Sequence, residues 1–187
     1  MRKLESELPA HLSYHNIHHT KDVMQATEAI AQTEGVNAYE THLLVTAALL
    51  HDTGFLEKRE GHEAGSCLIA RKYLPEYHYL PEAVEQVCQL ILATKIPQSP
   101  KNHLQQILCD ADLDYLGRDD FFVLSDRLFA ELHAECLMKD KNEWNLEQVD
   151  FLERHQYFTV TSVNSRQAKK EQFISFVKSE ISTTESR

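Results

Sequence analysis

Apolar residues recur along the chain at helical intervals. The densest run, Leu43-Leu44-Val45-Thr46-Ala47-Ala48-Leu49-Leu50, is polar only at Thr46. A segment apolar on every side belongs in the interior. Glu40 ahead of it and Gly54 after it bound a central helix from about Ala38 to His51. Before it, Ser13 is a plausible N-cap for a first helix that runs to about Gln32, with Gly35 as its stop.

After the central helix, a loop over residues 53–61 precedes a helix from about His62 to Tyr73, and Pro75 and Pro81 bracket the next connection. Val84, Val87, Cys88, Ile91 and Leu92 then repeat at i, i+3, i+4, i+7 and i+8, the core face of another helix, which ends before the proline-marked loop at Lys95. From Asn102 a helix turns Leu104, Leu108 and Ala111 inward, and Asp112 falls on that same inward face. Phe121, Leu124, Leu128, Phe129, Leu132 and Cys136 mark a long helix after Gly117. Leu146, Val149 and Leu152 mark one ending near Tyr157 and Phe158, and Phe173, Phe176, Val177 and Ile181 mark the last, with residues 183–187 expected to fray. Strand-like alternation is nearly absent, so the chain reads as an all-α helical bundle forming a single domain over 1–187.

Composition narrows this little. With 187 residues the chain is long enough for one substantial core. Its longest apolar run is about half of a membrane span, and Met1 to Glu5 lack a signal peptide's apolar core, so the expected compartment is the cytoplasm, away from membranes. Cys67, Cys88, Cys109 and Cys136 have no CxxC spacing and read as reduced core residues. The net charge of -10 argues against a nucleic-acid polymer as partner but leaves room for a small phosphorylated one. A homodimer is compatible with this reading.

The candidate chemistry begins where the central helix ends. His51 and Asp52 put an imidazole and a carboxylate into the interior, where such groups must be paired, hydrogen-bonded or metal-bound. On the first helix His15 and His19 share a face, with Asp22 one turn beyond, whereas His18 points about 100° away. Bringing this face beside His51-Asp52 and the inward Asp112 makes a site of His19, His51, Asp52 and Asp112. Two imidazoles and two carboxylates suit a divalent ion such as Mn, Fe, Ni, Zn or Mg better than Cu(I). The competing reading of the same groups is a buried ion-pair network.

The stretches Tyr14-His15-Asn16-Ile17-His18-His19-Thr20-Lys21-Asp22-Val23, Leu50-His51-Asp52-Thr53-Gly54-Phe55 and Asp110-Ala111-Asp112-Leu113 together resemble the HD-domain superfamily of metal-dependent phosphohydrolases. The first is similar to the YHNxxHxxDV signature of its cyclic-nucleotide phosphodiesterases. The resemblance spans about residues 13–117, with additional helices over 118–182. It implies a helical HD fold and a divalent metal ion held by His19, His51, Asp52 and Asp112. It also implies catalysis by His15, matching the histidine that protonates the leaving oxygen, and by Asp52, with a metal-activated water hydrolysing a small phosphorylated compound, a nucleotide being the expected choice. The alternative is a non-catalytic metal- and nucleotide-binding regulatory module; a di-iron oxygenase would need further histidines, for which His62 is the obvious candidate.

Some features depart from the subgroups. The chain is shorter than a cyclic-nucleotide phosphodiesterase domain, has no GYP motif, lacks a histidine pair in Ile91-Leu92-Ala93-Thr94-Lys95, and has no glutamate-aspartate pair shortly after HD. One tightly held metal is the expectation. Substrate contacts are assigned to His62 and Glu63, which open the helix after the HD loop, and to Lys95 and Arg166, the latter in a late basic group with Arg154, His155 and Lys169. Asp110 points elsewhere on its helix and is read as a local cap.

Overall fold

The computed structural model describes residues 8, 9 and 11–185, with side chains as far as Ile181. The expectations for the N-terminal five residues and for the fraying of the tail lie outside the described residues or their side chains. Eight α-helices and three short 3-10 turns make up the described structure, and no strand occurs among the described residues: α1 (Ile17–Thr33), α2 (Ala38–Leu50), α3 (His62–Tyr73), α4 (Pro81–Ala93), α5 (His103–Asp112), α6 (Phe121–Ala134), α7 (Lys141–Arg154) and α8 (Val160–Glu185). No helix is long and apolar enough to cross a membrane among the described residues.

Helix starts follow side-chain chemistry. Asn37, Asn102 and Asp140 cap α2, α5 and α7 by accepting N–H groups two or three residues on. The first helix differs from the expectation: it begins at Ile17, not near Ser13, because Asn16 adopts an extended backbone and accepts the His18 N–H at 2.9 Å. His15 therefore sits in the turn ahead of α1 and not on its His19 face.

Two cores result. In the first, α1, α2, α3, α4 and α5 enclose Val23, Leu43, Leu44, Val87, Ile91 and Leu108. Burying Leu43 and Leu44 contributes about 1.5–3 kcal/mol each relative to exposure. The central helix is buried on most sides, with Val45, Leu49 and Leu50 only half covered; Thr46, the one polar residue of the Leu43–Leu50 run, donates to the His42 carbonyl and meets the Tyr79 hydroxyl. In the second core, Leu116, Phe121, Leu152 and Val177 gather the later helices, with Phe121 and Phe173 stacked at 4.7 Å.

Four expected core positions face solvent. Leu92 lies one residue past the Ile91 stripe, and Leu90 is buried in its place. Leu146 is exposed because Trp144, Gln148 and Val149 supply the buried face of α7, which ends at Arg154 before Tyr157. Phe176 is exposed beside buried Val177. Cys136 lies beyond the end of α6 at φ 58°, exposed, while the other three cysteines are buried. Asp110 caps the turn into α8 and not a local segment as expected: its carboxylate accepts the Phe158 and Thr159 N–H groups at 2.9 and 2.8 Å.

Candidate metal centre

The two cores meet at the C-terminal ends of α2 and α5, and there the polar residues converge. His19 comes from the first turn of α1, His51 and Asp52 from the end of α2, and Asp112 from the last residue of α5. The His51 Nε2 lies 3.1 Å from Asp52 Oδ2 and 3.2 Å from Asp112 Oδ1. The His19 Nε2 lies 3.3 Å from each of the same oxygens, and the two Nε2 atoms are 3.4 Å apart.

These spacings test whether a cation fits. Ligands about 2.0–2.2 Å from a common ion lie about 2.9–3.5 Å from one another, the range seen here. His51 donates from Nδ1 to the Ala48 carbonyl at 2.8 Å, so once Nε2 gives up its proton its lone pair points toward the two carboxylates and any ion between them. Among the described residues, buried Asp52 Oδ2 has no hydrogen-bond partner outside the cluster. Four electron-rich atoms around one point, one of them an orphaned oxygen, fit a divalent ion.

The electrostatics agree. Burial opposes charge on both histidines, but Asp112 and Asp52 outweigh it, raising His19 to about 9 and His51 well above the usual imidazole range. Burial likewise opposes charge on the two carboxylates, yet His51 and His19 hold Asp52 well below its ordinary value and Asp112 at about 2. Protons shared among these groups are what a cation would displace.

The HD loop is fixed from behind. Ser66 on α3 accepts the Gly54 N–H at 2.8 Å and donates to the His51 carbonyl at 2.6 Å, tying both ends of the turn to one buried hydroxyl. Gly54 is required by close approach, since a Cβ there would come within 2.0 Å of the His62 carbonyl oxygen.

A cavity of about 300 Å³ opens in front of the cluster, lined on this side by His15, His19, Asp52, His62, Glu63 and Asp112. Of the residues expected to contact substrate, His62 and Glu63 do line it. The His62 Nε2 lies 3.4 Å from Asp52 Oδ1, and its Nδ1 donates to the Arg59 carbonyl at 3.0 Å. Lys95 is exposed and does not line the cavity, although Thr94 and Ile96 do, because it projects outward at the end of α4. Arg166 is also outside it, held by Asp114 at 2.7 and 3.2 Å. Asp22 holds Arg118 with both oxygens at 2.9 Å.

His15 lines the cavity from the turn, and three residues with no role in the sequence reading fix it there. Glu131 on α6 accepts the Tyr14 and His15 N–H groups at 2.9 Å each, and meets His15 Nδ1 at 2.5 Å. Arg59 pairs with Glu131 and Glu135. Phe55 lies between two imidazoles, its ring 4.3 Å from that of His15 and 4.2 Å from that of His62. Only Phe55 carried a local signal, its place in the HD turn; Glu131 is more than a hundred residues from His15, and nothing in the spacing links them.

A family model for the HD domain matches residues 16–114, more than half of the chain. The chain belongs to the HD-domain family. The match contains all four HD-cluster residues and ends before α6 and α7, so Glu131 and the outer cavity wall lie beyond it, and His15 lies one residue ahead of it. The crystal structure of a predicted HD superfamily hydrolase from an uncultured Thermotogales bacterium is similar in fold over 98% of this chain and 92% of that one, with a TM-score of 0.61 and 20% sequence identity. No curated protein matches the chain.

Proposed function

We propose that the protein is a metal-dependent phosphohydrolase acting on a small phosphorylated compound, with nucleotides as the first substrates to test. The observation that carries this reading is the convergence of His19, His51, Asp52 and Asp112 on one point at the floor of a cavity that His15 also lines. A divalent ion held there would supply Lewis acidity toward a phosphoryl oxygen and an acidified water.

The chain's own residues do the rest. His15, with Nδ1 occupied by Glu131, has Nε2 left to carry a proton to the leaving oxygen. Glu131 remains charged despite burial, because His15 and Arg59 hold its carboxyl at about 2, and so keeps the ring in one orientation. Phe55 restricts the same ring by stacking. Tyr14 and Tyr115, their phenols pushed up chiefly by burial, close the cavity floor as neutral walls.

The test is purification without chelator, elemental analysis, and phosphate release from a panel of nucleotides and phosphate esters, with Asp52→Ala in parallel. Metal-dependent turnover lost in the variant supports the hydrolase. Bound metal without turnover of any ester favours a regulatory binding module instead.

A further inference from the structure

The cavity names its substrate class by what its walls lack. Among the described residues, no lysine or arginine lines it. Three guanidinium groups outside the cavity are already committed: Arg59 to Glu131 and Glu135, Arg118 to Asp22 and Asp120, Arg166 to Asp114. Beyond the metal cluster the walls turn apolar, with Leu116, Leu128, Leu132, Met138, Trp144 and Phe151. The polar groups contributed by α7 are Glu147 and Gln148. Ser125 Oγ accepts both the Trp144 indole N–H, at 3.1 Å, and the Gln148 amide N–H, so Gln148 keeps its carbonyl oxygen for other partners. That end of the cavity thus offers acceptors and a negative charge.

A phosphoryl group at the cluster is matched by cationic chemistry there. Each further phosphoryl group would add a full negative charge among hydrocarbon walls and the Glu63 and Glu147 carboxylates, with no lysine or arginine among the described residues to meet it. The volume of about 300 Å³ is at the low end for a ligand pocket, which also disfavours a long polyphosphate.

We propose that the substrate carries a single phosphoryl group on a compact, largely apolar body that presents hydrogen-bond donors, and that nucleoside di- and triphosphates are poor substrates. This rests on the phosphohydrolase reading of the same cavity. The body packs among the α6 and α7 side chains and donates to Glu147 and Gln148. In the reaction a water oxygen bonds to phosphorus, the bond from phosphorus to the body's oxygen breaks with its electron pair on that oxygen, and the oxygen takes up a proton. The products are the hydroxyl compound and inorganic phosphate.

The experiment uses the full chain with Mn²⁺. It compares kcat/KM for p-nitrophenyl phosphate, a nucleoside 5′-monophosphate and the matching di- and triphosphates. Calorimetric binding of hydrolysis-resistant methylenephosphonate analogues of the mono- and triphosphate runs beside it. The single-phosphoryl compounds should exceed the triphosphate on the order of 100-fold, and Glu147→Lys should shrink that ratio roughly tenfold by placing a cation at the cavity wall. Equal or better turnover of the triphosphate overturns the substrate class while leaving the hydrolase reading intact, and equal or better binding of its analogue with no turnover of any compound overturns both. Preferential binding of the monophosphonate with no turnover of any compound keeps the class and sinks the hydrolase. Neither binding nor turnover sinks both.

Discussion

Glu131 and His15, 116 positions apart in the sequence, are joined at 2.5 Å between a carboxylate oxygen and Nδ1, and the same carboxylate also accepts the His15 backbone N–H. Glu131 is fully buried. One acidic residue from α6 thus fixes both the backbone and the ring of a histidine that belongs to no helix. The turn that carries His15 depends on the second half of the chain for its shape.

Replacing Glu131 with Gln removes the charge and keeps the volume. The two N–H groups retain an acceptor, so the fold should survive, while Arg59 and the His15 ring lose their anion. Activity should fall about 10²-fold or more, in the range for general acid–base groups, with metal content unchanged. A kcat pH profile is the diagnostic: a shifted limb in Glu131→Gln ties the loss to His15, and an unshifted one with lowered stability would make Glu131 merely structural.

Asp112→Asn tests the cluster itself. Asparagine is nearly isosteric but removes one of the two negative charges that oppose the histidines, so affinity for the cation should drop by at least about 10–100-fold. Elemental analysis after dialysis should find roughly one divalent ion per chain in the natural protein and far less in the variant. Chelator should lower the melting temperature of the natural protein, since an ion bound only by the folded state stabilises it, and leave Asp112→Asn nearly unmoved. No bound ion in either protein after divalent metal is added back would show that the cluster is an ion-pair network, and equal full loading would remove Asp112 from the ligands.

The limits of sequence reading follow from the same residues. Helix periodicity and the apolar run at Leu43–Leu50 gave the all-α architecture, because both are local signals of burial. His19, His51, Asp52 and Asp112 stand out in the sequence because polar groups follow or interrupt apolar runs there, and the structure brings the four together. His15 was placed on the wrong element, since the competition between Ser13 and Asn16 for the N-cap is settled by backbone geometry. Glu131, Arg59 and the α7 wall could not be read, as their meaning comes from long-range packing. Lys95 and Arg166 misled for the opposite reason: a cation near a motif in sequence is no guide to whether it faces solvent or an aspartate.

The HD turn tolerates no side chain at Gly54. An added Cβ would meet the His62 carbonyl oxygen at 2.0 Å and its carbonyl carbon at 2.7 Å, both backbone atoms that cannot swing aside. Gly54→Ala should therefore push α3 away from the turn, costing about 1–3 kcal/mol in a chemical-denaturation curve. Because Ser66 and His62 ride on the same helix end, metal affinity should weaken in the same variant. A protein of natural stability and metal affinity would show that the turn has slack.

Acid sensitivity should begin above the range where carboxylates titrate. His155 is enclosed near Lys170, its Nδ1 3.2 Å from the ammonium, and burial together with that charge pushes its pKa down to about 3. In the unfolded chain the ring titrates near 6.5. A depressed folded value means the unfolded state binds the proton first. The stability is complete above about pH 6.5 and is lost as pH falls toward 3, by up to about 1.4 kcal/mol per pH unit. The paired carboxylates Asp112 and Glu131, both held at about 2, add their own loss from about pH 5 downward. Urea midpoints of metal-free protein between about pH 6.5 and 5.2 isolate the histidine: they should fall steadily in the natural chain and stay nearly flat in His155→Gln. A slope that persists unchanged in the variant would assign the acid sensitivity to another group.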